Sequence, residues 1–263
     1  MANLYFDEAL SGTTAGSLIT VSGDDGRHAV RVSRLRVGEQ TIVGNGRGLR
    51  AHGTVEQLGR ESFGVRVERI EELPPPARRI VLVQALAKGD RDERAVEQAT
   101  EFGVDAVIPW QAERSISRWS GDKAEKGVAK WARIAREAAK QSMRAWIPAV
   151  LPPHTTAELA QLDGHVLVLH PRGEAKLSAW RPADNRDVFL VVGPEGGLSD
   201  AELAALTAGG SGPNVDSPGS DADSPGAGAP AERRVVLLGD DVLRTSSAGP
   251  AALAVLNTVL GRW

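Results

Sequence analysis

The sequence predicts an α/β protein built on a parallel sheet and preceded by a small β-rich domain. Short apolar runs that suit fully buried strands alternate with helical patterns in the second part of the chain. The first part shows alternating apolar and polar residues separated by glycines. Prolines at 74–76 divide the two patterns and favour stiff, extended backbone. We therefore predict a β domain over 1–73, a linker over 74–78 and an α/β domain over 79–263.

The β domain is predicted to contain four short strands. These strands cover residues 17–21, 41–43, 49–57 and 63–70. The glycine-rich stretch 44–48 lies between two of them and opens no helix. It therefore indicates a hairpin turn and not a dinucleotide-binding loop.

The α/β domain is predicted to contain five buried strands. These strands cover residues 80–86, 106–110, 166–170, 188–192 and 235–238. Asp90 with Glu93, and Ser199 with Glu202, have the spacing of a capping box, in which a side chain caps the backbone at a helix start. Both pairs predict the start of a helix.

A longer helix is predicted over 122–143, where apolar residues recur at spacings of three and four. A different face carries five basic residues and one acidic residue: Lys126, Lys130, Arg133, Glu137, Lys140 and Arg144. This face is a candidate polyanion surface, and an ordinary solvated helix face is the alternative.

The composition excludes several classes of protein. The chain has 263 residues, a net charge of -3 and no cysteine, which excludes disulfides, Cys-ligated metals and a catalytic thiol and fits a cytoplasmic location. The longest apolar runs are too short to span a bilayer, and the first ten residues do not resemble a signal peptide. The phosphate-cradling loop and the nucleophile elbow of hydrolases are absent from the sequence. The zincin motif is also absent and the five histidines are scattered, so we predict no metal site.

Two loops are the strongest local features. Residues 191–199 run from a buried strand through Gly193, Glu195 and two further glycines, and residues 237–248 form a second strand-to-helix turn. Ligands of open α/β sheets bind at the carboxyl ends of the strands, so these loops and His170 are expected to converge on one pocket. A tight βα turn is the alternative interpretation.

Residues 209–230 form a low-complexity segment, in which 14 of 22 residues are Gly, Pro or Ser. We expect a mobile acidic insertion that the chemistry does not need.

The sequence also contains two clusters of basic residues. They are Arg27, His28, Arg31, Arg34 and Arg36, and Lys88, Arg91, Arg94, Arg114 and Arg118. Together with the helix face they could follow a folded phosphate backbone.

A series of motifs along nearly the whole chain resembles one family, and the order of the motifs is specific. They include RHAVRV at 27–32, GNG at 44–46, ALAKGDR at 85–91, EQATEFGV at 97–104, ERS at 113–115, WARIA at 131–135, EAAKQS at 137–142, GPEGGL at 193–198 and LRT at 243–245. The chain resembles the RsmE-type 16S ribosomal RNA uridine-N3 methyltransferases of the SPOUT superfamily.

The resemblance implies a PUA-like β-barrel, a SPOUT-type parallel sheet with a C-terminal trefoil knot, a homodimer and S-adenosylmethionine as cofactor. It implies these cofactor-binding residues: Leu169, His170, Gly193, Glu195, Gly196, Gly197, Leu238, Gly239, Leu243, Arg244 and Thr245. We expect these residues to bind 16S ribosomal RNA of the small subunit: Arg27, His28, Arg31, Arg34, Arg36, Lys88, Arg91, Lys130, Arg133, Lys140 and Arg144.

Methyl transfer to uridine N3 requires loss of a proton and leaves a delocalised imide anion. Arg114 is the candidate catalytic residue because a pre-aimed guanidinium can stabilise such an anion; binding of a phosphate or of Glu113 is its alternative role. The chain has Ser246 where many family members carry a glutamate, so no role rests on that carboxylate. A noncatalytic RNA-binding protein and a ribose-directed methyltransferase are the alternative functions.

Overall fold

A computed structural model describes residues 3–209 and 231–263. Most of the predicted insertion, from 210 to 230, lies outside the described residues. The chain forms two compact units, one made of residues 1–76 and 136–147 and the other of residues 77–135 and 148–263.

The described residues contain twelve strands and six α-helices. The strands are Asn3–Phe6 (β1), Leu18–Val21 (β2), Gln40–Gly44 (β3), Leu49–Leu58 (β4), Phe63–Glu72 (β5), Ile80–Ala85 (β6), Ala106–Trp110 (β7), Ala149–Val150 (β8), His165–Leu169 (β9), Ala175–Lys176 (β10), Val188–Val192 (β11) and Arg233–Leu237 (β12). The helices are Gly23–Arg31 (α1), Arg91–Glu101 (α2), Asp122–Gln141 (α3), Thr156–Leu159 (α4), Asp200–Thr207 (α5) and Thr245–Val259 (α6).

The first unit contains a five-stranded sheet in the order β1-β3-β4-β5-β2. The predicted hairpin is confirmed, because β3 and β4 pair antiparallel and the turn between them uses Gly46 and Gly48 at positive φ. Tyr5, Val43, Phe63 and other apolar side chains form the core. Their burial holds the sheet against helix α1.

Strand β1 and helix α1 were not predicted from the sequence. Helix α1 has the sequence GDDGRHAVR, and its buried residues are Asp25, Gly26 and Ala29, so no large apolar side chain marks its buried face in the sequence. It is positioned instead by Gly26 and Asp25. A Cβ at Gly26 would lie 2.5 Å from the Glu61 carbonyl oxygen, so only glycine allows this close packing. Asp25 accepts a hydrogen bond from the Phe6 amide at 3.0 Å, which joins α1 to β1.

Residues 136–147 belong to the first unit, whereas the sequence analysis assigned them to the α/β domain. The reason is a buried ion cluster that involves the last turns of α3. Arg136 and Lys140 donate to the two carboxylate oxygens of Asp25 at 2.7 and 2.8 Å. Ala139 packs with Leu4 and other apolar residues of the sheet. Such long-range contacts leave no local signal in the sequence.

The second unit contains the predicted parallel sheet. Its seven strands follow the order β10-β12-β9-β11-β6-β7-β8, and every neighbouring pair is parallel. Apolar clusters cover both faces, one around Leu82, Leu190 and Leu256 and the other around Val83, Ile108 and Val168. The predicted architecture of this part is therefore confirmed. The trefoil knot stays a prediction.

One predicted helix cap is confirmed and the other is wrong. The Ser199 hydroxyl accepts from the Glu202 amide at 3.2 Å, and Glu202 in turn accepts from the Ser199 amide at 3.0 Å. Helix α2 does begin after Asp90, but this side chain makes no capping hydrogen bond. Asp90 pairs instead with Arg94, one turn further along the helix, at 2.9 Å.

Candidate active site

Three loops leave the same edge of the parallel sheet. The strand register places Leu169 beside Val192 and beside Val236, and it places Val192 beside Gln84. These residues lie at or next to the carboxyl ends of β9, β11, β12 and β6. The loops that follow β9, β11 and β12 therefore start side by side, where open α/β sheets bind their ligands.

Two adjoining cavities lie at this edge. One has a volume of about 300 Å³ and lies between residues 169–171 and 237–243. The other has a volume of about 470 Å³ and is also lined by the loop that follows β11. The cavities share Leu169, His170, Pro171, Val242, Leu243 and Ala248. The predicted convergence of the two loops on one pocket is confirmed.

The cavities contain most of the predicted cofactor-binding residues. Those on their walls are Leu169, His170, Gly193, Glu195, Gly197, Leu238, Gly239, Leu243, Arg244 and Thr245. Gly196 does not line either cavity. A Cβ at Gly196 would instead lie 3.0 Å from the Cβ of Arg114.

Gly239 differs from Gly193 and Gly196 of the other loop, whereas Gly197 has the same open surroundings. An added Cβ at Gly239 would meet no atom within 4 Å, although the residue lines the smaller cavity. At Gly193, in contrast, a Cβ would lie 2.8 Å from a methyl group of Leu198. A side chain at 193 would therefore displace the buried Leu198 side chain, whereas a Cβ at 239 would displace no atom.

Glu195 is held by the loop that follows β6 and by the first residue of α2. One of its carboxylate oxygens accepts from Arg91 at 2.7 Å and from the Lys88 amide at 3.3 Å. Burial alone would raise the pKa of Glu195, but the hydrogen bonds from Arg91 and from backbone amides outweigh it and lower the pKa below its ordinary value. The carboxylate is therefore charged at neutral pH. It also fixes Arg91, which lines the larger cavity.

A buried polar chain connects three segments of the site. Gln84 is fully buried, and its Nε2 donates to the Thr245 hydroxyl at 3.0 Å. That hydroxyl donates to the Gly193 carbonyl at 2.9 Å. Gln84 was missed by the sequence analysis, although it is the only polar residue in the apolar run 80–86. A single polar side chain in a buried strand could have indicated a buried hydrogen bond at this position.

His170 lies at the junction of the two cavities. Burial is the largest cause that lowers its pKa, and the nearby positive charge of Arg172 lowers it further, while Asp200 acts in the opposite direction. The imidazole is therefore neutral at pH 7. Its Nδ1 accepts from the Arg172 amide at 3.1 Å, which leaves Nε2 as the protonated nitrogen.

Arg114, the candidate catalytic residue, is exposed and does not line either cavity. Its Nη1 donates to the Gly196 carbonyl at 3.2 Å, so it is attached to the loop that forms the cavity wall. The preceding residue is also anchored, because the Glu113 amide donates to buried Glu202 at 2.8 Å. The alternative pairing of Arg114 with Glu113 does not occur among the described contacts.

The predicted RNA-binding residues divide between the two units. In the first unit, Arg27, His28 and Arg31 lie on α1. Arg27 pairs with Asp24 and Arg31 pairs with Glu61.

The first unit also contains Arg34 and Arg36, which are exposed in the loop after α1, and Arg144, which is half-buried. In the second unit Lys88 and Arg133 are exposed, and Lys130 pairs with Glu93.

The prediction that Lys140 lies on an exposed basic face is wrong. This side chain is 6% exposed, and its ammonium pairs with Asp25 and Glu137 at 2.8 and 2.7 Å. The helical spacing of the basic residues is regular, but the last turns of α3 pack into the first unit and remove Lys140 from solvent.

The described part of the chain has neither a metal-binding cluster of His, Asp and Glu side chains nor a membrane-spanning helix. Within residues 3–209 and 231–263, no group of three or more His, Asp or Glu side chains is placed to hold a metal ion. The same residues include no helix that is both long and apolar enough to cross a membrane.

Comparisons with known proteins agree with this architecture. A model described as an RNA methyltransferase domain matches residues 74–213, and an RNA methyltransferase PUA domain matches residues 21–68. The Mycobacterium tuberculosis protein named ribosomal RNA small subunit methyltransferase E is 39% identical over 270 residues, which cover 100% of this chain and 94% of the relative. The chain belongs to the ribosomal RNA small subunit methyltransferase E family. The Bacillus subtilis member is 30% identical over 72% of this chain and 78% of its own length.

Solved structures of similar proteins support the same fold. A ribosomal RNA small subunit methyltransferase E from Neisseria gonorrhoeae, bound to S-adenosyl methionine, has a TM-score of 0.79 at 25% identity, with 98% of both chains covered. A putative methyltransferase from Legionella pneumophila, in complex with the same cofactor, has a TM-score of 0.78 at 26% identity, again with 98% of both chains covered. The predicted family and the predicted two-part fold are confirmed.

Proposed function

We propose that the chain transfers a methyl group from S-adenosylmethionine to N3 of a specific uridine in the 16S ribosomal RNA of the small subunit. The observation that carries this proposal is the pair of glycine loops, 193–197 and 238–245, which line a common cavity at the carboxyl edge of the parallel sheet. Family membership supports the same reaction, since its named members methylate small-subunit ribosomal RNA.

The cavity residues fit this cofactor. Leu169, Leu238 and Leu243 provide apolar walls suited to the adenine ring, and Gly239 leaves the space that a side chain would fill. Asp240, on the wall of the smaller cavity, supplies negative charge near a ligand that carries a sulfonium and an ammonium group, whereas the charge of Glu195 is already compensated by Arg91. When bound, S-adenosylmethionine supplies an electrophilic methyl group on sulfur.

The protein's own residues would position the uridine and stabilise its anion. The Gly196 carbonyl holds Arg114 beside the cavity wall by one hydrogen bond. The remaining guanidinium donors of Arg114 are available to a base. We assign Arg114 to the imide anion that forms when N3 loses its proton, because a fixed cation there lowers the energy of the charged nucleophile. Positioning of N3 in line with the sulfur supplies a further part of the rate.

The exposed basic residues of both units would hold the surrounding RNA through its phosphates. Arg34, Arg36, Lys88 and Arg133 are the best placed, because each is exposed and has no ion-pair partner among residues 3–209 and 231–263. Unpaired bases are the usual targets of sequence-specific RNA recognition, so the target uridine is expected in a loop or turned out of a helix. We further propose a homodimer that acts in the cytoplasm.

Methylation of small ribosomal subunits that lack the modification tests the proposed function. The subunits are incubated with methyl-labelled S-adenosylmethionine, and the nucleosides are then separated. Labelled N3-methyluridine is the expected product. A labelled ribose-methylated nucleoside would contradict the assignment of the target atom, and absence of both label and cofactor binding would indicate a noncatalytic RNA-binding protein.

A further inference from the structure

A third cavity, of about 280 Å³, lies within the first unit and takes no part in the site described above. Strand β1, helix α1 with its following loop, and the end of α3 supply its walls. Its walls include Tyr5, His28, Ser33, Lys140, Gln141 and Met143. His28 and Lys140 were both predicted to bind RNA, but they were not predicted to lie together.

The charge of Lys140 is already neutralised inside this cavity. Its ammonium has three donors, of which two are used by Asp25 and Glu137. One donor remains for a ligand, but the net charge of this group and its two carboxylates does not favour a bare anion. The interior therefore suits a neutral group that accepts hydrogen bonds.

The walls combine apolar surface with unused polar side chains. Met143 offers apolar contact, and Tyr5 also lines the cavity but is only 1% exposed. The side chains of His28, Ser33 and Gln141 make no hydrogen bond within residues 3–209 and 231–263, and each can both donate and accept. In the same part of the chain the buried Tyr5 hydroxyl also has no partner. A flat heterocycle with polar edges matches this lining.

The backbone beside the cavity adds an independent observation. Arg34 and Met143 have φ values of +52° and +58°, and they are the only non-glycine residues of the described chain with positive φ. Both follow a helix, where glycine usually takes this conformation without strain. Met143 lines the cavity and Arg34 follows Ser33, which also lines it. Strained positions of this kind cluster at ligand sites.

Unpaired positive charge lies next to the cavity and not inside it. Arg27 and Arg31 on α1 are each paired with a carboxylate. Arg34 and Arg36, in the loop that continues from Ser33, are exposed and have no ion pair among the described residues. This arrangement suits a ligand with a neutral base and a negatively charged backbone.

We propose that this cavity binds one unpaired nucleotide of the RNA substrate, away from the base that is methylated. The base or ribose occupies the space beside Met143, with its polar edge towards His28, Ser33 and Gln141, and the adjoining phosphates contact Arg34 and Arg36. The inference rests on the proposed function in one respect, namely that the substrate is RNA. Recognition of a splayed-out base in such a pocket is typical of proteins that read single-stranded RNA.

Ser33→Leu tests the proposal, because it fills the cavity from an exposed position without removing a buried charge. Ser11→Leu makes the same change at another exposed position of the first unit and is the matched control. The full chain, saturated with S-adenosylmethionine, is titrated with each of the four ribonucleoside 5′-monophosphates and with inorganic phosphate. Amide resonances of residues 28–35 and 140–143 are followed by NMR, and KM and kcat are measured on small ribosomal subunits.

We expect at least one nucleotide to shift these resonances in the wild type and in Ser11→Leu but not in Ser33→Leu. Ser33→Leu should raise KM for the subunits about tenfold and leave kcat within twofold. The proposal is overturned if no nucleotide shifts these resonances, if inorganic phosphate shifts them equally, or if KM does not respond. Nucleotide binding here by a chain that methylates no subunit would uphold the cavity assignment and refute the proposed function.

Discussion

Removal of the Thr245 hydroxyl should lower both the stability of the fold and its affinity for S-adenosylmethionine. Thr245→Val keeps the shape of the side chain but deletes the group that accepts from Gln84 at 3.0 Å and donates to the Gly193 carbonyl at 2.9 Å. Each hydrogen bond contributes about 1 kcal/mol, so the variant should lose about 2 kcal/mol of unfolding free energy. Thr245→Ser keeps both hydrogen bonds and loses one methyl group, which costs about 0.8 kcal/mol.

Urea unfolding followed by tryptophan fluorescence measures this difference, because five of the six tryptophans lie in the second unit and one, Trp146, lies in the first. Calorimetry measures the second consequence. Without its tether to Thr245 the Gly193 loop is free to move, so S-adenosylmethionine should bind about tenfold more weakly to Thr245→Val than to Thr245→Ser, which corresponds to about 1.4 kcal/mol. Equal stability and equal affinity of the two variants would refute the role of the buried chain.

Three further predictions follow from other contacts. Gly239→Val should lower cofactor affinity at least tenfold in calorimetry while the unfolding midpoint stays unchanged, because its Cβ meets no atom within 4 Å; an unchanged affinity would contradict the cavity assignment. Arg114→Met should lower kcat about 100-fold with the cofactor Kd unchanged, and a kcat equal to that of the wild type would remove Arg114 from the mechanism. Asp25→Asn should cost about 3–5 kcal/mol of unfolding free energy, because Lys140 and Arg136 lose their buried counter-ion. Burial alone would raise the pKa of Asp25, but hydrogen bonds from Lys140 and Arg136 lower it below its ordinary value. The contribution of the ionised Asp25 carboxylate to the free energy of unfolding is therefore complete above the unfolded-state pKa of about 3.9. It is lost as pH falls through the lower pKa of the folded state. Acid titrations of stability should therefore be less steep for Asp25→Asn, and identical slopes would show that the ion cluster does not contribute.

The parts of the fold that were predictable are those with a local signal. The buried strands of the second unit appear as apolar runs, and two of them, Ala106–Trp110 and Val188–Val192, have the predicted ends. The Ser199 cap was predictable because both of its partners lie within one turn of helix. The two glycine loops follow buried strands directly, so parallel-sheet geometry was sufficient to predict that they meet.

The errors come from interactions between residues that are distant in the sequence or that compete locally. Lys140 has the spacing of an exposed basic residue, and its burial depends on Asp25, which lies 115 positions away. Asp90 has the spacing of a cap, but Arg94 lies four residues along the same helix and binds its carboxylate instead. Helix α1 has no large apolar residue on its buried face; close packing at Gly26 and the buried Asp25 position it instead.

The structure of the chain crystallised with S-adenosylmethionine is the most direct test of the central claim. We predict electron density for the cofactor between residues 169–171, 193–197 and 238–245, with Gly239 against the ligand. Density for the cofactor elsewhere on the chain, or a cavity between these loops that stays closed at saturating cofactor, would contradict the account.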